Sequence, residues 1–186
     1  MLIAFEGDRG SGKTLTMTKM GYIKHLQGRK IISNYTVNYP HIKLISQWLK
    51  DYLDKGVSNK ESVTDCCILW DELPVYVDCR RSASKRNLLI SYLVLQSRKR
   101  NVDIMYTTQS MDYVDKRFRK HTDVIVSPRH MINPKIGLLK EHGIFKIITR
   151  GTNYNGKDVE RVDVWCLKEY FDFYDTNEII YLDITE

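Results

Sequence analysis

The sequence predicts an α/β domain built on a mainly parallel central sheet flanked by helices, and three observations carry the prediction. Short apolar runs alternate with helical patterns up to about residue 127, as in strands joined by crossover helices. The first strand and helix are separated by Gly7-Asp8-Arg9-Gly10-Ser11-Gly12-Lys13-Thr14, the G-x-x-x-x-G-K-T phosphate loop of P-loop NTPases. From Gly143 onward, two further runs flank Asn153-Tyr154-Asn155-Gly156, which predicts a C-terminal antiparallel β-hairpin extending one edge of the sheet. The 186 residues fit a single domain, with a nucleotide-binding core over 1–127 and the hairpin and an aromatic tail of 128–186 packed on it.

Leu2-Ile3-Ala4-Phe5 is apolar throughout, as a strand buried on both faces must be. A helical pattern starting at Lys13 runs to Gln27 and carries Met17, Met20, Ile23 and Leu26. Gly21 in its middle predicts close packing on the sheet, and Gly28 stands where a C-cap belongs. Lys30 to Asn34 is a second strand, and Asn38 to His41 a loop. Ser46 to Lys55 predicts a short amphipathic helix closed by Gly56, with a surface loop from Val57 to Asp65. Cys66 to Trp70 is an apolar strand ending in Asp71-Glu72.

Ser84 to Asn101 predicts the longest helix, and its apolar residues cover enough circumference to predict burial on several sides. Val102 to Thr107 is a strand running into Thr108-Gln109. Ser110 can cap a helix with Met111, Val114 and Phe118 inward and Lys116, Arg117, Arg119 and Lys120 outward. Val124 to Ser127 is a strand, Ile144–Arg150 and Val159–Leu167 are the hairpin arms, and Glu169 to Asp175 is an aromatic tail.

Composition bounds the function only loosely. With 42% apolar and 28% charged residues, the chain is an ordinary globular sequence. A net charge of +6 permits an acidic or nucleic-acid partner without requiring one. Cys66, Cys67, Cys79 and Cys166 show no zinc or redox spacing, and the adjacent pair within an apolar run predicts buried thiols in a reducing compartment. His41, His121, His130 and His142 show no metal-ligand spacing either. The longest apolar stretch, Leu88 to Leu95, falls far short of the roughly 20 residues that span a bilayer, so no membrane association is expected.

The glycines of 7–14 let backbone amides close around phosphate oxygens, and the helix that follows adds the positive end of its dipole. Lys13 is placed to reach the terminal phosphates, and the Thr14 hydroxyl to hold Mg²⁺. Cys67 to Glu72 fits a Walker B element, with Asp71 orienting the metal shell and Glu72 polarising the attacking water. Ligands bind at the C-terminal ends of strands in open α/β sheets, where Gln109 also falls and can sense the γ-phosphate or the lytic water. That last role expects the Val102–Thr107 strand to lie between the other two. Arg98, Arg100, Arg80 and Arg81 compete for the role of a charge-neutralising arginine, and helix-end cations also serve the dipole alone. Lys116, Arg117, Arg119 and Lys120 could contact nucleic-acid phosphates, although a solvated helix face is the more frequent reading of such a cluster.

Taken together, G-D-R-G-S-G-K-T, I-L-W-D-E and Q-S-R-K-R-N-V-D-I-M-Y-T-T-Q resemble the FtsK/HerA superfamily of DNA-translocating ATPases. The Gly28–Asn34 segment and Tyr174 to Glu178 resemble its zonular-occludens-toxin-like and viral genome-packaging members. The resemblance implies a Mg²⁺- and ATP-dependent ring, usually hexameric, moving double-stranded DNA through a channel. It further implies a capsid or portal partner and a place in the infected host cytoplasm or on the virion. Gln109 matches the family's strand-end glutamine, and Arg98, on the preceding helix, matches a candidate trans-acting finger. The chain departs from the family in showing no N-terminal barrel, winged helix or membrane anchor, which favours a minimal packaging motor over phage extrusion. Three alternatives stay open: a small-molecule or nucleotide kinase, for which no lid is evident; a GTP switch, whose nearest N-K-x-D candidate, Asn59-Lys60-Glu61-Ser62, lacks the aspartate; and a nucleotide-dependent scaffold.

Overall fold

A computed structural model describes residues 1–44, 63–76, 85–153 and 155–178. The helix predicted over Ser46–Lys55, most of the loop before Asp65, Cys79, Arg80, Arg81 and Tyr154 lie outside the described residues. The N-terminal half contains β1 (Leu2–Glu6), α1 (Lys13–Leu26), β2 (Lys30–Ser33), β3 (Ile42–Lys43), β4 (Cys66–Trp70), α2 (Leu73–Tyr76) and α3 (Lys85–Gln96). Then come β5 (Asp103–Thr108), α4 (Lys116–His121), β6 (Val124–His130), β7 (Ile132–Asn133), β8 (Gly137–Leu138), β9 (Ile144–Thr152) and β10 (Asp158–Cys166). Single 3₁₀ turns lie at Met111–Tyr113, Leu139–His142 and Lys168–Phe173.

Eight strands form one sheet in the order β10-β9-β6-β1-β5-β4-β2-β3. All pairings are parallel except β6–β9 and β9–β10. The hairpin thus extends the sheet at one edge, as expected, with β10 outermost, and β5 lies between β1 and β4. The central strands are apolar on both sides because both faces are covered. On one face, Ile3, Phe5, Leu69 and Met105 pack against Leu15 and Met17 of α1. On the other, Ala4, Ile68, Trp70 and Tyr106 meet Ile90, Leu93 and Val94 of α3 and Phe118 of α4. Gly21 approaches the sheet closely: a Cβ there would lie 2.6 Å from Leu69 Cδ1 and 2.8 Å from the Tyr39 hydroxyl. Beyond it α1 ends as expected, with the Gly28 and Arg29 amides donating to the His25 and Lys24 carbonyls.

Three predicted helical features differ. α3 stops at Gln96, where Ser97 turns its hydroxyl back to the Val94 carbonyl (2.7 Å) and the chain reverses through Asn101 at φ 54°. From Ile90 to Gln96 α3 is buried on one stripe: Ile90, Leu93 and Val94 are buried while Tyr92 is 51% and Leu95 60% exposed, since a helix on a sheet needs a single apolar face. The helix expected after Ser110 is two pieces. Ser110 caps only the turn Met111–Tyr113, Val114 is extended, and Asp115 begins α4 by accepting from the Arg117 amide. The competing Asp115 cap breaks the run, yet Val114 and Phe118 are still buried.

β6 continues past the predicted Ser127 through Pro128, where its pairing with β1 has already ended at Val126. The tail forms a 3₁₀ turn and docks on α1, Phe173 meeting Tyr22 edge-to-face at 4.9 Å. Cys66 and Cys67 are buried, and burial pushes their thiols up to about 11 and about 12; Cys166 is exposed. Among the described residues no helix is long and apolar enough to cross a membrane.

Candidate active site

The loop from Gly7 to Thr14 leaves β1 and enters α1 at Gly12, which caps the helix in the left-handed region at φ 95°. Glycine is required there twice over, since a Cβ would also lie 2.9 Å from the Phe145 ring of β9. Lys13 is buried, and its Nζ donates to the Asp8 carbonyl at 2.9 Å. Burial lowers the Lys13 pKa, while Glu72, Asp71 and Asp8 oppose the shift. Arg9 lines the cavity, Ser11 is buried, Asp8 meets Arg129 of β6 at 3.6 Å, and the Gly7 amide donates to the Thr108 carbonyl.

Parallel pairing with β5 carries the acidic pair to the same end of the sheet. The Thr14 hydroxyl donates to Asp71 Oδ1 at 3.0 Å, and the Thr107 hydroxyl to the same oxygen at 2.6 Å. Asn34, just past β2, brackets the Asp71 backbone, donating to its carbonyl and accepting from its amide. The Glu72 amide donates to Thr107 Oγ1 at 2.8 Å, and Glu72 sits at φ 51°, a conformation uncommon outside glycine. Burial raises the Asp71 pKa against hydrogen bonds from Thr107 and Thr14 and the charge of Lys13. Glu72 is raised by burial and then by the Asp71 charge.

These groups open on one cavity of about 760 Å³, lined among others by Lys13, Thr14, Asp71, Glu72 and Gln109. Its size suits a small-molecule ligand, for which about 300–1,000 Å³ is usual. Loop amides, a lysine and a hydroxyl–carboxylate pair on hard oxygens suit a phosphate chain with Mg²⁺, which binds through one or two carboxylates and phosphate oxygens.

Not every predicted residue joins. Arg98 is 86% exposed on its side chain and lies 3.6 Å from Asp123, whose carboxylate accepts from the Leu2 amide at the start of β1. The phosphate loop follows the other end of that strand, about 16 Å away at 3.3 Å per residue, so Arg98 stands apart from its own chain's cavity. Arg100 is buried. Of the basic group on α4, Arg117 is held bidentately by Asp115 and Arg119 donates one bond to Asp112, while Lys116 and Lys120 are exposed.

Sequence reasoning gave no role to Asn34, Thr107, Glu6 or Arg150. Polar residues inside or closing apolar strands were the available signal for the first three. Glu6, at the end of β1, accepts from the Met111 amide and from Arg150 of β9, which also reaches Ser127. This ties the loop after Gln109 to the root of the phosphate loop.

The fold and this site define a P-loop NTPase fold with an extra strand between the phosphate-loop strand and the acidic strand. No protein-family model and no curated protein sequence matches the chain. Solved structures do. The N-terminal domain of zonular occludens toxin from Neisseria meningitidis superposes with a TM-score of 0.61 at 18% identity, covering 94% of this chain and 98% of that one. The genome packaging NTPase B204 from Sulfolobus turreted icosahedral virus 2, in complex with AMP, gives 0.57 at 10% identity over 87% and 95%. The DNA-packaging ATPase B204 from Sulfolobus turreted icosahedral virus gives 0.56 at 13% over 87% and 95%. The likeness read from the motifs and the likeness in three dimensions lead to the same two groups of proteins.

Proposed function

We propose that the chain is a Mg²⁺-dependent ATPase that moves double-stranded DNA, acting as a ring of identical subunits in viral genome packaging. One observation carries the enzymatic half: a single cavity collects Lys13, Thr14, Asp71, Glu72 and Gln109 from the tips of three adjacent parallel strands. Lys13 and the loop amides bind the phosphates, and Glu72, with its raised pKa, takes the proton of the attacking water while Gln109 orients it. Mg²⁺ held by Thr14 and Asp71 would neutralise charge on the phosphate oxygens. The DNA half is supported by the packaging proteins of like fold and by the exposed Lys116 and Lys120. Arg98, exposed and remote from its own site, suits a finger offered to a neighbouring subunit. A capsid or portal partner and a location in the infected cell's cytoplasm or on the virion belong to the same proposal. The fuller overlap with the zonular occludens toxin domain favours a second reading, an ATPase of phage or virus assembly.

Turnover measured with and without duplex DNA tests both halves. Wild type is expected to hydrolyse ATP faster on DNA, and Glu72→Gln to bind ATP while losing at least about 10²-fold in turnover, the scale of general-base loss. Turnover that survives Glu72→Gln refutes the assigned chemistry, and turnover indifferent to DNA leaves the assembly reading.

A further inference from the structure

The cavity is larger than a triphosphate requires, and its lining is divided by the strand order. On one side of the phosphate loop lie Asp71, Glu72 and Gln109, the tips of β4 and β5. The terminal phosphate belongs on that side, because Lys13 reaches the β- and γ-phosphates and the loop amides cradle the α and β. The sugar and base must therefore continue in the other direction, over the start of α1 and toward the flank of β1 occupied by β6 and β9. Away from the β4 and β5 tips the cavity is lined by Phe145 of β9, by Lys140 and Glu141 of the turn before it and by Phe171 over α1, while Tyr35, Tyr174, Asp175, Thr176 and Glu178 line it beside the end of β2.

Two turns make the outer walls of this region. Leu139–His142 carries Lys140 and Glu141, and Lys168–Phe173 carries Phe171, 37% exposed. They are fastened at one point: the Leu167 amide donates to the Gly143 carbonyl at 2.6 Å. Gly143 is left-handed at φ 73°, and a Cβ there would strike the Lys168 backbone, 2.6 Å from its Cα. The second turn is held down on α1, where Tyr22 contacts both Tyr170 and Phe173, and Lys19 lies over the rings of Trp165 and Tyr170. An open aromatic ring on a fixed support, lining one cavity with a polar turn, is an arrangement that can receive a flat heterocycle.

We propose that Phe171 and the turn Leu139–His142, locked together at Gly143–Leu167, form the slot for the nucleobase of the nucleotide bound at Gly7–Thr14. The inference rests on the P-loop reading above and adds that the C-terminal segment, rather than the core, recognises the base. Phe171 is the stacking platform, and Lys140 and Glu141 offer a donor and an acceptor to the polar edge of the ring.

Equilibrium binding of β,γ-methylene ATP and of inorganic tripolyphosphate, each with Mg²⁺, tests it on the full chain. Wild type should prefer the nucleotide. Phe171→Ala should weaken nucleotide binding about tenfold or more, the scale of one base–aromatic stack, and leave tripolyphosphate binding unchanged. Phe171→Trp should restore nucleotide affinity. Nucleotide affinity unchanged in Phe171→Ala overturns the slot, as does an equal loss of both ligands, which would mark Phe171 as a support of the fold. Equal affinity of wild type for the two ligands also overturns it while leaving the phosphate site intact. Binding of neither by wild type removes the P-loop reading and the slot with it.

Discussion

Thr107 is the point at which the two strand tips of the site are joined, and Thr107→Val removes the joint without changing shape. The residue is fully buried, and its single hydroxyl donates to Asp71 Oδ1 at 2.6 Å while accepting from the Glu72 amide at 2.8 Å. Loss of a hydrogen bond to a charged group costs about 1.5–3 kcal/mol, and a buried amide left without an acceptor costs about 1–3 kcal/mol. The two share one atom and are not independent, so about 3 kcal/mol is expected for the pair. For a chain of this length that lowers the melting temperature by about 6–12 °C. The deficit should shrink toward acid pH, because the Thr107 bond favours the charged form of Asp71. Turnover should fall more than stability implies, about 10²-fold, since a carboxylate displaced by about 1 Å no longer meets its water. Thermal melts at pH 5 and 8, with steady-state ATP turnover and Thr107→Ser as the control that keeps the hydroxyl, measure all three. A loss below about 1 kcal/mol, or turnover near wild type in a folded Thr107→Val, refutes the account of the joint.

Two further substitutions have signs that the structure decides. Asp71→Asn should raise the melting temperature of the ligand-free protein at neutral pH by about 2–4 °C while abolishing turnover, as removal of a strained functional charge commonly gains about 1 kcal/mol. Its folded pKa is raised, so the stability linked to Asp71 is fully present below the unfolded value near about 3.9 and is lost as pH rises through the folded value. The advantage of Asn should therefore vanish near pH 4, and an advantage that persists there would contradict burial as its cause. Gly21→Ala would stabilise an ordinary helix by about 1 kcal/mol. Here the new methyl would lie 2.6 Å from the buried Leu69 side chain, and overpacking of about 1–3 kcal/mol should leave the variant net destabilised in urea unfolding.

What the sequence disclosed follows from the range of the forces involved. Phosphate loop, acidic strand and glutamine strand were legible because each is a local pattern of apolar run and turn residue, and parallel pairing then allows few arrangements. The insertion of the glutamine strand between the other two followed only from the role expected of Gln109, not from the residues of the strand itself. Helix limits were less legible. Asp115 and Ser110 are both good caps five residues apart, and only the tertiary burial of Val114 decides that the chain uses each in turn. Least legible were contacts between distant residues, such as Gly12 with Phe145, Gly143 with Lys168 and Glu6 with Arg150. Glycine and charge patterns say that something is close at those places but not what.

The outermost strand has a bearing on solubility. Nine residues of β10 end the sheet, and among the described residues no strand pairs with its outer side, so its amides and carbonyls offer a template to any extended chain. Val159, Val162 and Val164 are all exposed along it and would make such an encounter adhesive. Asp158, Glu160, Arg161 and Asp163 are interleaved among them, so a second β10 laid alongside would meet clashing or desolvated charge over the first six of its nine residues. Strand-to-strand aggregation is thereby discouraged at this edge, and replacing these charges with threonine should promote fibre formation, read by thioflavin T, before it alters the fold.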